Sequence, residues 1–236
     1  MNFYKKIDNN VHVADFEKTK LFHFLDTDTN TMDARYSELE WLAPQIKKIG
    51  FNLEFGVYSG RTISFLANER PDLKFFGFDS FEGLPEDWDM GGKFVKKEYF
   101  HRQNNFPNVP SNVILIKGFF DKTIPTWLKD LSKKELVQND YKISYLHVDS
   151  DLYSSAIDIL FGLNELIKPG TIIRFDEICC WRSVFNERGP KFGRAVYSTW
   201  EEHEFKALNE WIEIKKRKVV PICRNWFQSG TVKVTT

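Results

Sequence analysis

Ile143-Ser-Tyr-Leu-His-Val-Asp-Ser-Asp-Leu-Tyr153 and Gly170-Thr-Ile-Ile-Arg-Phe-Asp-Glu177 decide the fold. Each opens with a short apolar run rich in β-branched residues, the composition of a strand. Residues 153–167 between them read as a helix, and Pro169-Gly170 punctuates the return. Strand, helix and strand at this spacing make a βαβ unit with parallel strands and a right-handed crossover. Acids close both strands: Asp149 and Asp151 the first, Asp176 and Glu177 the second. In an open α/β sheet, ligands bind outside the carboxyl ends of the strands. As neighbours, these strands bring four carboxylates to one rim with no basic partner nearby in sequence, which a hard cation or a proton-transfer task justifies.

Outward from this unit the alternation continues. Residues 34–49 read as a helix with Leu39, Leu42, Ala43 and Ile46 on one stripe, Pro44 marking a kink or an earlier end. A strand over 51–57, a helix over 59–70 and a strand over 73–79 follow. Residues 81–110 are a loop-rich excursion with one helix around 96–104. A strand at 112–117 and a helix from about 124 to 131 complete the pattern before residue 143. After an irregular stretch at 179–197 come a helix at 199–216 and strands near 219–223 and 231–234. Only a short turn around Gln228-Ser-Gly230 separates the last two, so they form an antiparallel hairpin.

Parallel βα units closed by an antiparallel hairpin are the pattern of the Rossmann-like class I methyltransferase sheet, a three-layer α/β fold. Topology alone leaves dinucleotide-binding folds as competitors. We read residues 1–236 as one domain, with a cofactor-binding core over 51–236 and a helical extension or lid over 1–50.

Lys+Arg and Asp+Glu both number 33, so no global field invites nucleic acid or a strongly charged partner. No apolar stretch is long enough to span a membrane, and Met1-Asn-Phe-Tyr-Lys-Lys6 lacks the apolar core of a signal peptide. Cys179, Cys180 and Cys223 are too few and too poorly spaced for a disulfide framework or a zinc site, and read as reduced thiols in a cytoplasmic protein.

Glu54-Phe-Gly-Val-Tyr-Ser-Gly60 sits at a strand-to-helix junction, where Gly56 and Gly60 let backbone pass close to a ligand. It is not the G-x-G-x-x-G of a dinucleotide site, and an ordinary tight turn reads equally well. Asp79 closes the next strand, roughly 20 residues on, where an acid accepts both hydroxyls of a ribose; a turn or capping role is the alternative. Phe81 is placed to lie against adenine or to anchor the loop.

These segments, with Phe78-Asp-Ser-Phe-Glu-Gly-Leu-Pro-Glu86, His147-Val-Asp-Ser-Asp-Leu-Tyr153 and Asp176-Glu177, resemble the macrocin O-methyltransferase family over about residues 50–180. The resemblance implies an S-adenosylmethionine- and metal-dependent enzyme that methylates sugar hydroxyls. It implies that Glu54, Gly56, Tyr58, Ser59 and Gly60 line the methionine part of the cofactor. Asp79 would hold the ribose, Ser80 and Phe81 would border the adenosine, and Gly118 and Asp121 would close the adenine side. Asp149, Asp176 and Glu177 would bind Mg²⁺ or another hard divalent cation, with Asp151 as general base beside Asp149. The family usually has two aspartates where this chain has Asp176-Glu177, and Glu reaches one methylene further.

Asp151 is equally placed to cap the helix that starts near Leu152. His147 reads as a core histidine, His23 and His101 as surface residues, the role of Arg174 is open, and residues 215–218 read as a solvated helix end. The expected partner is a small hydroxylated acceptor, in a pocket built from residues 1–35, 84–110 and 179–197; Trp88, Phe94, Tyr99, Phe100 and Trp181 there stack on sugars and arenes alike. A catechol or phenol acceptor and a non-catalytic nucleoside-binding protein are the alternatives, and a homodimer is an open question.

Overall fold

The computed structural model describes residues 11–22, 31–103, 105–180 and 197–236, with the backbone alone for 31–34. Its centre is an eight-stranded sheet of β1 (Lys20–Phe22), β2 (Phe51–Phe55), β3 (Phe75–Asp79), β6 (Val113–Lys117), β7 (Ile143–Val148), β8 (Ile172–Phe175), β9 (Val219–Asn225) and β10 (Gly230–Val234), in the order β1-β9-β10-β8-β7-β2-β3-β6. Strands β8, β7, β2, β3 and β6 are parallel, and β10 is antiparallel to β8 and β9. The hairpin expected at the end of the chain is therefore present. Helices α1 (Thr31–Leu42) and α2 (Arg61–Glu69) pack over a core that includes Leu39, Leu42, Ile63 and Tyr145. Helices α3 (Phe120–Asp130), α5 (Tyr153–Gly162) and α6 (Glu204–Lys215) cover the other core, around Phe55, Ile159, Leu208 and Trp211. The fold has the three layers and the class I methyltransferase sheet expected.

Several elements differ from the sequence reading. Helix α1 starts at Thr31 and yields at Pro44 to a 3₁₀ turn over Ala43–Gln45, because proline supplies no N–H to continue the ladder. Helix α3 begins at Phe120, so Pro125 lies inside it and not at its start. A further helix, α4 (Lys133–Gln138), opens with a Ser132–Glu135 capping box. The excursion after β3 holds a small hairpin of β4 (Trp88–Asp89) and β5 (Phe94–Val95), and the helix expected around 96–104 is a single 3₁₀ turn, Lys97–Phe100. Helix α5 ends at Gly162, and the last helix is broken at His203 into Trp200–Glu202 and α6.

The largest change lies in the segment read as a lid. Residues 13–16 form a 3₁₀ turn, β1 adds a parallel strand against β9, and Val11, Phe16 and Phe22 are buried. This part of the chain is built into the sheet edge. Of residues 1–50, only Arg35 on α1 lines the large cleft among the described residues. Removing residues 1–30 therefore takes away a strand and two buried phenyl rings, and thermal stability is expected to fall along with activity.

Candidate active site

The four parallel strands β8, β7, β2 and β3 end at one rim. There Gly56 takes a positive φ of 91°, and a Cβ on it would stand 1.7 Å from the Asp149 carbonyl oxygen. Only glycine permits this approach, and it sets the ends of β2 and β7 side by side. The loop after Gly56 turns back over Asp79. Asp79 Oδ2 accepts the Tyr58 N–H at 2.6 Å and Oδ1 the Phe81 N–H at 2.6 Å, so both oxygens are oriented while each keeps a lone pair. Burial pushes the Asp79 carboxyl up, against the pull of these amides.

Beside it lies the acid cluster. Asp149, Asp151 and Glu177 each offer an oxygen, all within 4.8 Å of one another. Among the described residues the carboxylates of Asp149 and Asp151 make no hydrogen bond. Glu177 Oε1 accepts from Gln228 Nε2 at 2.5 Å, and its buried Oε2 has no partner. Burial, then the charge of Asp176, pushes Asp149 up to about 8. Burial and Asp149 raise Asp151 well above the carboxylate range, and burial and Asp176 do the same to Glu177. Asp151 and Glu177 are buried and Asp149 is half-buried. Carboxylate oxygens at this spacing, one of them buried without a partner, fit a hard cation that would neutralise their repulsion. Asp151 has a φ of 61°, and the cap of α5 is Leu152 with no side-chain bond, so the capping role is not taken up.

Asp176 is a different case. Burial alone would raise it, but Arg35 and Arg174 hold it well below the usual carboxylate range. Its Oδ1 accepts from Arg174 Nη1 at 2.7 Å, and its Oδ2 pairs with Arg35 Nη2. Of the metal set implied by the resemblance, Asp149 and Glu177 stand in one close group of ligand atoms with Asp151, and Asp149 and Asp176 stand in a second with His147. Asp176 is also paired with two guanidinium groups. The acids do have basic partners, brought from 141 residues away by α1 and from within β8.

A buried polar row runs across the sheet below this rim. Glu54, His147, Arg174, Thr231 and Cys223 are register neighbours on five strands. Glu54 accepts from Thr62 Oγ1 at 2.8 Å and from His147 Nδ1 at 2.9 Å. Arg174 Nη1 lies 2.5 Å from His147 Nε2. Burial and Arg174 lower the His147 pKa, but Asp176 and Glu54 outweigh them and push it up to about 9. Since arginine has no acceptor, a bond from Arg174 to Nε2 requires the neutral Nδ1–H ring, so the guanidinium and a ring proton compete for this place. Arg174 also donates to Glu38 from Nε at 3.2 Å and Nη2 at 3.0 Å, and Glu38 further accepts from Ser229 Oγ and Thr231 Oγ1. His147 is the core histidine expected, and Arg174, whose role the sequence left open, is the hub of the row.

The cleft over the rim has a volume of about 1370 Å³, larger than the ~300–1,000 Å³ of ordinary small-molecule pockets and enough for two ligands side by side. Gly56, Tyr58, Ser59, Asp79, Ser80, Asp121, Asp149, Asp151, Asp176 and Glu177 line it as expected. Four predicted cofactor residues do not. Glu54 is buried under the loop with both oxygens bonded; Gly60 is packed against Pro107 and Val109; Phe81 is a fully buried anchor edge-on to Phe106; and Gly118 faces Thr123. Trp88, Tyr99, Phe100 and Tyr197 also line the cleft, Phe100 edge-on to Tyr58 and Trp88 Nε1 meeting Tyr197 Oη at 3.3 Å. Phe94 is exposed and points elsewhere; Phe3, Tyr4, His23, Phe24, Trp181 and Phe185 lie outside the described residues. Sequence reasoning missed Arg35, Gln228 and Tyr197, none of which stands in a motif.

A family model described as a methyltransferase domain matches residues 53–178. Among solved structures, the chain is similar to CalS11, a calicheamicin methyltransferase, with a TM-score of 0.60 and 19% identity over 86% of this chain and 80% of that one. The O-methyltransferase NovP follows with a TM-score of 0.53 and 18% identity over 89% and 84% of the two chains. The S-adenosylhomocysteine-bound methyltransferase PaMTH1 of Podospora anserina has a TM-score of 0.53 and 16% identity over 90% and 83%. Identities this low speak to the fold. No curated protein matches the sequence.

Proposed function

The chain belongs to a family of methyltransferase domains, and from that premise we propose that it moves the methyl group of S-adenosylmethionine to a hydroxyl of a small molecule at a divalent cation site. The observation that carries the reading is the close group of carboxylates Asp149, Asp151 and Glu177, with the buried Glu177 Oε2 unpartnered, in the same cleft as Asp79. The sulfonium, when bound, supplies an electrophilic methyl carbon, and a cation touching the acceptor oxygen lowers its pKa. Asp79 would accept the two ribose hydroxyls. The Gly56-to-Ser59 loop leaves room for the methionine end, and Asp121 borders the adenine side. Asp149 and Glu177 would hold the cation, and Asp151 is then free to take the acceptor's proton. Trp88, Tyr99 and Tyr197 give the cleft an aromatic lining that suits a sugar or an arene, and CalS11, described as a TDP-rhamnose 3′-O-methyltransferase, makes a sugar the first acceptor class to try. A catechol would use the same trio, so both belong in the screen.

Calorimetric titration with S-adenosylhomocysteine tests this reading. Micromolar binding is expected for the native protein. Asp79→Ala is expected to weaken it roughly 100-fold, the size of two charge-assisted hydrogen bonds at the lower end of their range. No binding by the native protein ends the methyltransferase reading.

The raised carboxyls give a second expectation. Asp149, at about 8, must lose a proton before it can bind a cation, so apparent Mg²⁺ affinity rises about tenfold per pH unit up to about pH 8 and then levels off. In the unfolded chain this carboxyl titrates near 4, so between about pH 4 and 8 the folded state holds the extra proton and cation-free stability declines as pH rises. Mg²⁺ reverses that decline. A flat Mg²⁺ affinity from about pH 6 to 9 contradicts the assignment.

A further inference from the structure

The Asp149-Ser150-Asp151 turn and the Asp176-Glu177 turn follow different strands, and one side chain spans both. Glu204, the first residue of α6, is fully buried. Its Oε1 accepts the Ser150 N–H at 2.9 Å and the Ser150 Oγ–H at 3.0 Å, and its Oε2 accepts the Glu177 N–H at 3.3 Å. We propose that Glu204 is a positioning residue that fixes the spacing of Asp149, Asp151 and Glu177 and thereby sets the cation affinity of the trio. The inference rests on the function proposed above and deepens it.

Three observations carry it. The three donors to Glu204 named above all belong to the acid-bearing turns, so the side chain ties those turns to each other and to α6. Asp151 sits at a φ of 61°, a left-handed conformation that aspartate tolerates better than most residues, and Ser150 just before it is pinned at both its amide and its hydroxyl, which holds the turn in this form. A fourth buried carboxylate beside three others is electrostatically unfavourable. Glutamine would fill the same space without charge, but it has only one oxygen, whereas two separated loops here each need an acceptor. Glu204 also lies outside residues 53–178, so this clamp belongs to the chain's own C-terminal third and not to the matched family segment.

Glu204→Gln tests the role, with Mg²⁺ alone, S-adenosylhomocysteine alone and thermal unfolding measured on the full chain. The variant is expected to bind Mg²⁺ about 10- to 100-fold more weakly, as when a residue supporting metal ligands is removed. Its S-adenosylhomocysteine affinity is expected to stay within about twofold, since among the described residues the hydrogen bonds of Glu204 go to Ser150 and Glu177 and not to the Asp79 or Gly56 loops. Ser150→Ala deletes one of the three donors and is expected to cost about threefold in Mg²⁺ affinity, which keeps the test alive if Glu204→Gln does not fold. Unchanged Mg²⁺ binding in either variant overturns the role, and so does an equal loss for both ligands. Native protein that binds no Mg²⁺ removes the cation from the proposed function and this role with it; native binding matched by Glu204→Gln removes the role alone.

Discussion

Asp149→Asn is expected to cut methyl transfer by about 10²- to 10⁴-fold while S-adenosylhomocysteine still binds. Asp149 is held by its own backbone, whose carbonyl abuts Gly56, so an isosteric amide will occupy the same place. What changes is charge and polarity. The amide keeps one neutral acceptor oxygen and puts a donor where the other oxygen stood, so of the two carboxylates proposed to hold the cation only Glu177 remains. Mg²⁺ binding, measured without any acceptor, is expected to fall with activity. Stability is expected to move the other way. A carboxyl raised to about 8 is a burden on the cation-free fold at neutral pH, and its removal raises the unfolding midpoint. A variant that is more stable and inactive separates a functional acid from a structural one. Activity within about tenfold of the native enzyme would remove Asp149 from the chemistry.

The second large effect is on folding. Arg174→Leu is expected to destabilise the protein by about 3–5 kcal/mol, the cost of leaving buried charges without a partner. Arg174 is fully buried and faces Glu38 and Asp176, both buried as well. Leucine fills much of the volume but leaves Glu38 with only neutral donors and Asp176 with Arg35 alone. For a chain of this size the unfolding midpoint drops by roughly 10 °C. Arg174→Lys is expected to fall between the two, because a single ammonium cannot serve Glu38, Asp176 and His147 together. Denaturant unfolding measures the loss, and a change under about 1 kcal/mol would mean the row is not held by its charges.

How far the sequence reveals this protein depends on the range of each interaction. The βα alternation, the closing hairpin and the acids at strand ends are local patterns, and the strands lie where the pattern put them, while helix ends moved and α4 was not foreseen. Gly56 and Asp79 were legible because a turn and a strand end restrict what fits there. The clamps were not. Arg174 meets Glu38 across 136 residues, Arg35 meets Asp176 across 141 and Glu204 meets Ser150 across 54. No periodicity encodes such pairs, so Asp176 looked unpartnered although two guanidinium groups meet it. Strand β1 is three residues long in a polar setting, too short to announce itself. Phe81 and Glu54 were read as facing the cofactor because of their place in the chain, but positive φ at Phe81 and hydrogen bonds to Thr62 and His147 turn them inward.

The polar row also imposes an order in time. Glu38 emerges early during synthesis, whereas its partners Ser229 and Thr231 follow 191 and 193 residues later. At about 5–20 residues per second, that wait is about 10 to 40 s. Through it the strand that carries Arg174 lacks its neighbour β10, and Glu38 lacks both hydroxyls that help to seat it. The Gly56 and Asp79 turns lie early in the chain, whereas the seat of Glu38 and the strand beside Arg174 are completed only when β10 has left the ribosome, so the rim of acids is finished last.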